Sequence, residues 1–271
     1  MWKTMQAGLA LTLIAAALAG CATSTKPGAV GITRSQLLTV PASEVDAMAL
    51  SDFSHQNQKA KSAGRLVSKG AEYDRLARVA KRLQAQVPVF RDDAKGWKWE
   101  LALIDAPMLN ATCAPGGKIT FYTGLIRKLK LTDDEIAMVM GHEIAHALRE
   151  HGRERMSQAK TAGSVTSIAR ALAPDKALHV EAASQASHYL FMLPNSRQHE
   201  SEADTMGLEL AARAGYDPRA SVSVWEKMAA ASGGSGRAEF LSTHPSDATR
   251  IASLTAMQPR VAPLYAAAKG K

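Results

Sequence analysis

The sequence predicts an α+β protein that is mainly helical and contains one small sheet. Residues Ala42–Val87 have a mainly helical pattern that is broken near Gly70. The segments Trp97–Ile104 and Asn110–Tyr122 instead have short-strand patterns, and the second surrounds a Pro-Gly-Gly turn. A chain of 271 residues, 46% of them hydrophobic, is long enough to form one compact domain with a substantial core.

The amino terminus has the pattern of a signal peptide at residues 1–20. A short basic start precedes an apolar run, Ala7–Gly20, that is shorter than the roughly 20 residues of a membrane-spanning helix. The run ends in Leu-Ala-Gly-Cys, which resembles a bacterial lipoprotein signal with acylation of Cys21. A plain secretory signal is the alternative. Because Ala22 follows the cysteine, the pattern predicts a lipid anchor in the outer membrane of a Gram-negative envelope, facing the periplasm.

The remaining chain divides into three predicted parts. Residues 21–41 contain glycine and proline and predict a flexible tether, residues 42–262 the folded domain, and residues 263–271 a frayed tail. Breaks at proline and glycine predict the later helices of the domain. These are two pieces within Thr161–Pro194, one helix from Asp217-Pro218 through Met228, and a last helix at Asp247–Met257.

The strongest functional motif is the run His142-Glu143-Ile144-Ala145-His146. Positions i and i+4 of a helix lie nearly in line, about 6 Å apart along the axis, so both imidazoles can bind one Zn²⁺. Glu143 is placed to take a proton from water beside the metal. Thr132 is the predicted N-cap of this helix, with Glu135 completing a capping box. The polar residues after His146 predict that the helix leaves the core there. The alternative is an ordinary helix with two core histidines.

A later run supplies a candidate for the third metal ligand. Glu200, Ala203, Asp204 and Gly207 share one helix face. Glu200 can bind the metal, and Asp204 can accept the spare ring N–H of a ligating histidine and so fix its tautomer. The small residues would let another helix pack very close. Taken alone, the run is equally compatible with a solvated acidic helix.

The two motifs together resemble metallopeptidase family 48, the gluzincins of the HtpX type, and especially their periplasmic lipoprotein branch. The resemblance covers roughly Leu50–Gln258 and is densest at Asn110–His151. It implies a zincin-like metallopeptidase domain that binds one zinc ion per chain and cleaves peptide bonds. It also implies misfolded or mislocalised envelope proteins as substrates, and outer-membrane assembly partners.

The resemblance also implies roles for single residues. Three become zinc ligands, His142, His146 and Glu200, and Glu143 becomes the general base. Glu202 falls on a variable family position and is not assigned to the metal. In the late motif Thr243–Arg250, either His244 or Arg250 could stabilise the oxyanion formed when water attacks a peptide carbonyl. Alternatively, His244 could fill the fourth zinc position and keep the enzyme latent.

The strand before the Pro-Gly-Gly turn is the predicted substrate-binding element. An edge strand beside the zinc can hold an extended peptide through backbone hydrogen bonds. The family uses this segment in that way, which implies substrate binding by Asn110, Ala111, Thr112, Cys113 and Ala114. The alternative is an ordinary hairpin edge.

Composition narrows the remaining possibilities. With Cys21 acylated, Cys113 is the single thiol left, so no internal disulfide can form. The net charge of +8 is compatible with contact to anionic lipid headgroups or with a merely basic surface. No stretch alternates basic and aromatic residues, so nucleic-acid binding is not predicted. The alternative to a peptidase is a lipoprotein chaperone or assembly factor with a latent or structural zinc site.

Overall fold

The computed structural model describes residues 21–172, 197–232, 244 and 248–270. The predicted signal segment lies outside these residues. The helices are α1 (Ala42–Ser62), α2 (Ala71–Gln84), α3 (Thr123–Lys128), α4 (Asp133–Leu148), α5 (His151–Leu172), α6 (197–213), α7 (Ala220–Ser232) and α8 (Ala248–Lys269). The strands are β1 (Cys21–Ala22), β2 (Gln36–Leu37), β3 (Leu66–Val67), β4 (Glu100–Ile104), β5 (Ala111–Ala114) and β6 (Lys118–Tyr122). The mainly helical α+β class is thereby confirmed.

The four-stranded sheet has the order β3-β4-β6-β5, so β5 is one of its edges, as predicted. β4 and β6 are parallel, and the two outer pairs are antiparallel. β6 is buried along its whole length because it has a strand on either side and packs into the core. The turn between β5 and β6 requires positive φ at Gly116 (73°) and Gly117 (80°), which glycine adopts without strain.

Residues 21–41 are not the flexible tether that the sequence predicts. β1 and β2 pair with each other, and the backbone N–H groups of Ala29 and Val30 donate to the buried carboxylate of Glu209 at 2.9 and 2.8 Å. A Cβ atom on Gly28 would lie 2.3 Å from an aromatic ring, so this glycine serves close packing. The segment is ordered because it buries three apolar side chains, Val30, Ile32 and Val40.

Three helices differ from their predicted bounds. They are α5, α8 and α7, which runs from Ala220 to Ser232 and not from Asp217-Pro218 through Met228. α5 reaches Leu172, and the rest of the predicted helical region, 173–194, lies outside the described residues. α8 extends to Lys269 through Pro259 and Pro263, although the sequence predicts an end at Met257 and a frayed tail. The buried Leu254 and Val261 anchor α8 to the core, and this packing outweighs the backbone hydrogen bonds lost at proline. None of the described helices is both long and apolar enough to cross a bilayer.

The metal-motif helix α4 begins with the predicted capping box. The N–H of Glu135 donates to the Thr132 hydroxyl at 3.2 Å, and the Thr132 N–H donates to the Glu135 carboxylate at 2.8 Å. The same carboxylate accepts from Ser223 (2.8 Å) and Lys227 (2.7 Å) of α7. These bonds fix the first turn of α4 against α7 and therefore fix the position of the helix.

α4 and α6 touch backbone to backbone at a pair of glycines. A Cβ atom on Gly141 would lie 2.8 Å from the carbonyl oxygen of Gly207, and one on Gly207 would lie 2.6 Å from the backbone nitrogen of His142. Neither position has room for a methyl group, because the opposing atoms are backbone. The predicted close helix contact is therefore present, and it sets the distance between the two metal motifs.

We expect Gly207→Ala to lower both the melting temperature and the zinc affinity. The new methyl group must push α6 away from α4, and Glu200 would then move away from the paired histidines. Overpacking of this kind costs about 1–3 kcal/mol. Thermal unfolding and a zinc competition titration would measure both effects. Gly163→Ala on α5 is the matched control, since its Cβ would meet nothing within 4 Å. An unchanged zinc affinity in Gly207→Ala would contradict this role of the glycine contact.

Candidate metal centre

Four side chains from three parts of the sequence lie close together and form what we call the donor group. They are His142 and His146 of α4, Glu200 of α6, and His244, and one donor atom from each lies within 4.8 Å of the others. Across the described residues, this is the one such group of histidine, cysteine and carboxylate side chains. The sequence motifs predict the first three members, and the resemblance suggests His244 as a fourth.

The spacing of the donor atoms fits a tetrahedral zinc ion. The Nε2 atoms of His142 and His146 are 3.1 Å apart, and each lies 3.3 Å from a carboxylate oxygen of Glu200. His244 Nδ1 is 3.2 Å from His142 Nε2 and 2.9 Å from Glu200. A tetrahedral zinc site with bonds of about 2.0–2.1 Å has ligand atoms about 3.3–3.4 Å apart. Two imidazoles, a carboxylate and a third imidazole are also the donor types that zinc prefers.

A hydrogen-bonded chain fixes the first histidine. Asp204 Oδ1 lies 3.0 Å from His142 Nδ1, so that nitrogen carries the proton and Nε2 faces the donor group. Arg250 donates to both oxygens of Asp204 at 2.7 Å, and its guanidinium lies 3.9 Å from the centre of the Trp225 ring. The structure thus gives Asp204 the contact that the sequence predicts for it.

The electrostatics of the group favour a bound cation. Burial alone would lower the pKa of His142, but its hydrogen bonds to the carboxylates of Asp204 and Glu200 raise it to about 9. The pKa of Glu200 is well below its ordinary value, because its bonds to His142, His146 and His244 outweigh its own desolvation. Burial lowers the pKa of His146. The carboxylates of Glu200 and Asp204 are thus buried beside imidazole rings. A divalent cation bound there would stabilise their negative charge.

Glu143 lies beside the donor group and has an uncommitted oxygen. Its side chain is buried, and within the described residues its Oε1 atom has no hydrogen-bond partner. Nε2 of His244 lies 3.5 Å from that oxygen. Desolvation raises the pKa of Glu143, and the charges of His244 and His142 oppose this effect. A buried carboxylate with a raised pKa and a free oxygen is suited to accept and return a proton.

The predicted substrate strand runs beside Glu143. The backbone amide of Cys113 lowers the pKa of the Glu143 carboxylate, which places this N–H on the side of β5 that faces the site and not β6. The adjacent Ala114 carbonyl accepts from Gly117 on the opposite side. Alternation along β5 then directs the backbone of Ala111 towards the site as well. Thr112 is exposed, and Asn110 accepts a hydrogen bond from the N–H of Ala111. The thiol of Cys113 is buried, with a raised pKa caused by desolvation.

Arg250 differs from its predicted catalytic role. Its Nε and Nη2 atoms bind Asp204, and its Nη1 atom lies 3.1 Å from Glu200. Because all three nitrogens face carboxylates behind the donor group, Arg250 supports the ligands and is not directed at a substrate oxyanion. His244 alone keeps the geometry of a residue that can reach reacting atoms.

Three of the polar residues after His146 are buried, contrary to the sequence prediction. Arg149 and His151 have no exposed surface, and Glu154 is 1% exposed. α4 ends at Leu148, and Glu150 adopts a positive φ of 50° before α5 begins. The polar pattern predicts a solvated stretch, but the amino-terminal segment (residues 21–41) packs against it. The burial of these residues depends on contacts more than a hundred positions away, so no local signal could have revealed it.

Three relatives show what this chain is similar to. It is 38% and 39% identical to "Mitochondrial metalloendopeptidase OMA1" of Schizosaccharomyces pombe and Arabidopsis thaliana, over 159 and 158 residues. These matches cover 57% and 58% of this chain and 45% and 31% of the relatives. It is 30% identical over 158 residues to "Beta-barrel assembly-enhancing protease" of Escherichia coli, covering 55% of this chain and 32% of that protein. The chain thus matches less than half the length of each of these relatives.

The predicted location in a Gram-negative cell envelope is wrong by this comparison. The two relatives with the higher identities are named as mitochondrial, and the bacterial relative has a lower identity. The prediction depended on a short apolar run before Cys21, which is a small part of the chain. The similarity extends over more than half of it.

The sequence also matches the profile described as "Peptidase family M48" over residues 71–258. This range includes all four donor residues, Glu143 and strand β5. It confirms the family resemblance that the sequence motifs predict, together with the zincin-like fold and the metallopeptidase class. The chain belongs to peptidase family M48.

Proposed function

We propose that this protein is a zinc-dependent endopeptidase that cleaves extended segments of misfolded or mislocalised proteins. The observation that carries the proposal is the convergence of His142, His146 and Glu200 beside the free carboxylate oxygen of Glu143. The names of the relatives, metalloendopeptidases and a protease, support hydrolysis of peptide bonds.

The residues divide the work of peptide hydrolysis. Zinc, when bound, supplies a Lewis acid that polarises the scissile carbonyl and lowers the pKa of water towards 7. Glu143 accepts the proton of the attacking water and passes it to the leaving amine, so one carboxylate acts first as base and then as acid. Asp204 keeps His142 in the required tautomer, and Arg250 holds Asp204 and Glu200 in place.

Strand β5 is the proposed binding site for the substrate backbone. The edge of β5 that faces away from β6 presents the backbone carbonyl groups of Ala111 and Cys113 to an extended peptide beside Glu143, while the N–H of Ala111 binds Asn110. Main-chain hydrogen bonds do not depend on the substrate's side chains, so this edge suits a broad range of sequences. A folded substrate hides its backbone, and for this reason the proposed substrates are unfolded or misfolded chains. The name of the bacterial relative supports assembly factors as partners of such an enzyme.

A cleavage assay with and without zinc tests the proposal. The purified full chain should bind one zinc ion and cleave unfolded casein, a chelator should stop cleavage, and added Zn²⁺ should restore it. Cleavage that resists complete zinc removal would contradict the mechanism. A chain that binds zinc stoichiometrically but cleaves no peptide would favour the alternative function, a chaperone or assembly factor with a latent or structural zinc site.

The position of His244 supports the alternative of a latent zinc site. Its Nδ1 atom lies among the other three donors, 2.9 Å from Glu200, where it would occupy the position that substrate and water need. In this arrangement a zinc ion would have four protein ligands, and a latent enzyme of this kind would need His244 to withdraw before it could cleave a peptide.

We expect His244→Ala to change the cleavage rate while zinc remains bound. Removing a fourth ligand opens a coordination position, so the rate should rise if His244 blocks the site. The rate should fall if His244 stabilises the oxyanion instead. Zinc content and casein cleavage of the variant measure both quantities. An unchanged rate would remove both roles.

Acylation of Cys21 remains a separate proposal for attachment to a membrane. It is supported by the Leu-Ala-Gly-Cys pattern and by the apolar run before it. Mass spectrometry of the protein purified from its membrane fraction would decide it, because an unmodified thiol at Cys21 would exclude the anchor.

A further inference from the structure

The second metal histidine has its own hydrogen-bonded chain, built from residues to which neither the sequence analysis nor the family resemblance assigns a role. Nδ1 of His146 lies 2.8 Å from Nδ1 of His151, and Nε2 of His151 lies 3.1 Å from a carboxylate oxygen of Glu202. His151 has no exposed surface, and Glu202 is 8% exposed. This chain of hydrogen bonds is therefore shielded from water, and it ends at His146, one of the four residues of the candidate metal centre.

The direction of each hydrogen bond in this chain follows from the carboxylate of Glu202 at its far end. The carboxylate of Glu202 can only accept, so Nε2 of His151 carries the proton. The other ring nitrogen of a neutral His151 is then an acceptor, and Nδ1 of His146 must donate to it. His146 thus keeps the lone pair of its Nε2 atom, which is the atom that lies 3.1 Å from Nε2 of His142.

Two arginines hold the carboxylate at the end of the chain. Arg34 donates to Glu202 at 2.6 Å, and Arg149 donates to it at 2.9 Å. Arg34 belongs to the amino-terminal segment, and it also binds Glu154 at 2.6 Å. The charge of Glu202 is therefore balanced by guanidinium groups, which leave no place for a second cation among these residues.

We propose that His151 and Glu202 are positioning residues that fix the ring and the tautomer of His146, with Arg34 securing Glu202 from the amino-terminal segment. They act on His146 as Asp204 acts on His142. This proposal rests on the proposed zinc site but not on peptide cleavage. The proposal also gives the segment 21–41 a function, because Arg34 in this segment is one of the two arginines that hold Glu202 in place.

Zinc affinity, measured against a chromogenic chelator with no peptide present, tests the proposal. His151→Phe removes both ring nitrogens and should weaken zinc binding by about 10–100-fold, which is typical for loss of an outer hydrogen-bond partner. His151→Asn should bind zinc within a few-fold of the unmodified protein, because its side-chain oxygen can take the place of Nδ1. This rescue separates the proposed hydrogen bond from a general need for the ring.

Glu154→Gln is the matched control. Glu154 binds the same Arg34, and His199 at 3.1 Å, but is not bonded to the chain that leads to His146. This variant should lower the melting temperature and leave the zinc affinity unchanged. If His151→Phe does not fold, Glu202→Gln provides the test, since its amide cannot accept from His151 and from both arginines; we expect about 10-fold weaker zinc binding.

The outcomes separate this proposal from the proposed function. A folded His151→Phe or Glu202→Gln variant with unchanged zinc affinity would overturn the positioning role. An equal loss of zinc affinity in Glu154→Gln would also overturn it, because the effect would then come from the stability of the whole network. Failure of the unmodified protein to cleave casein would refute the proposed function and leave the zinc titrations interpretable.

Discussion

Glu143→Gln is expected to lower kcat/KM for peptide cleavage by about 10²–10⁴-fold while zinc stays bound, because general base catalysis contributes a factor of that size. The glutamine keeps the shape of the side chain but cannot accept the proton of the attacking water. Glu143 is not a member of the donor group, so its loss removes no ligand. Casein cleavage and zinc content, measured on the same preparation, give both results.

Glu226→Gln is the control for this change. Glu226 is exposed on α7, and the same substitution there should leave the cleavage rate and the zinc content unaltered. A Glu143→Gln variant that cleaves casein within a few-fold of the unmodified rate would refute the assigned role. A variant that loses its zinc would show instead that Glu143 holds the metal.

Glu200→Gln is expected to weaken zinc binding by at least about 100-fold, more than the loss of an outer partner such as His151. Glu200 is the one carboxylate in the donor group, and its oxygens lie 3.3 Å from Nε2 of both His142 and His146. The amide removes the charge and leaves Arg250, 3.1 Å away, facing a neutral group. A competition titration with a chelator of known affinity measures the loss.

Glu209→Gln on the same helix is the matched control for Glu200. Glu209 is buried like Glu200, but it accepts backbone N–H groups from Ala29 and Val30 and lies outside the donor group. The control should therefore lose stability through the amino-terminal segment and lose at most about 10-fold in zinc affinity, since this segment reaches His146 only through Arg34. Equal zinc affinities in the two variants would exclude Glu200 as a ligand.

The parts of the site that the sequence predicts are those set by one helix or one turn. His142 and His146 are neighbours because of helical periodicity, and Thr132 caps α4 through a bond to a residue three positions on. The glycine contact at Gly207 is also predictable, since small residues on the face that carries Glu200 permit close packing. In each case the determining contacts lie within a few positions, or the residue type alone limits the geometry.

The parts that the sequence does not predict depend on contacts between distant residues. Arg34 meets Glu202 across 168 positions, and no pattern around either residue indicates the other. The sequence around His151 predicts a solvated polar stretch, but His151 is fully buried in the folded protein. The two prolines of α8 predict its end, but burial of Val261 outweighs their local effect.

Anomalous diffraction at the zinc edge, from crystals of the full chain grown with Zn²⁺, tests the central claim most directly. We predict a single strong peak within about 2.0–2.2 Å of Nε2 of His142, Nε2 of His146 and a carboxylate oxygen of Glu200. A peak elsewhere, or zinc held by the two histidines with Glu200 turned away, would contradict the metal centre and the hydrolytic function built on it.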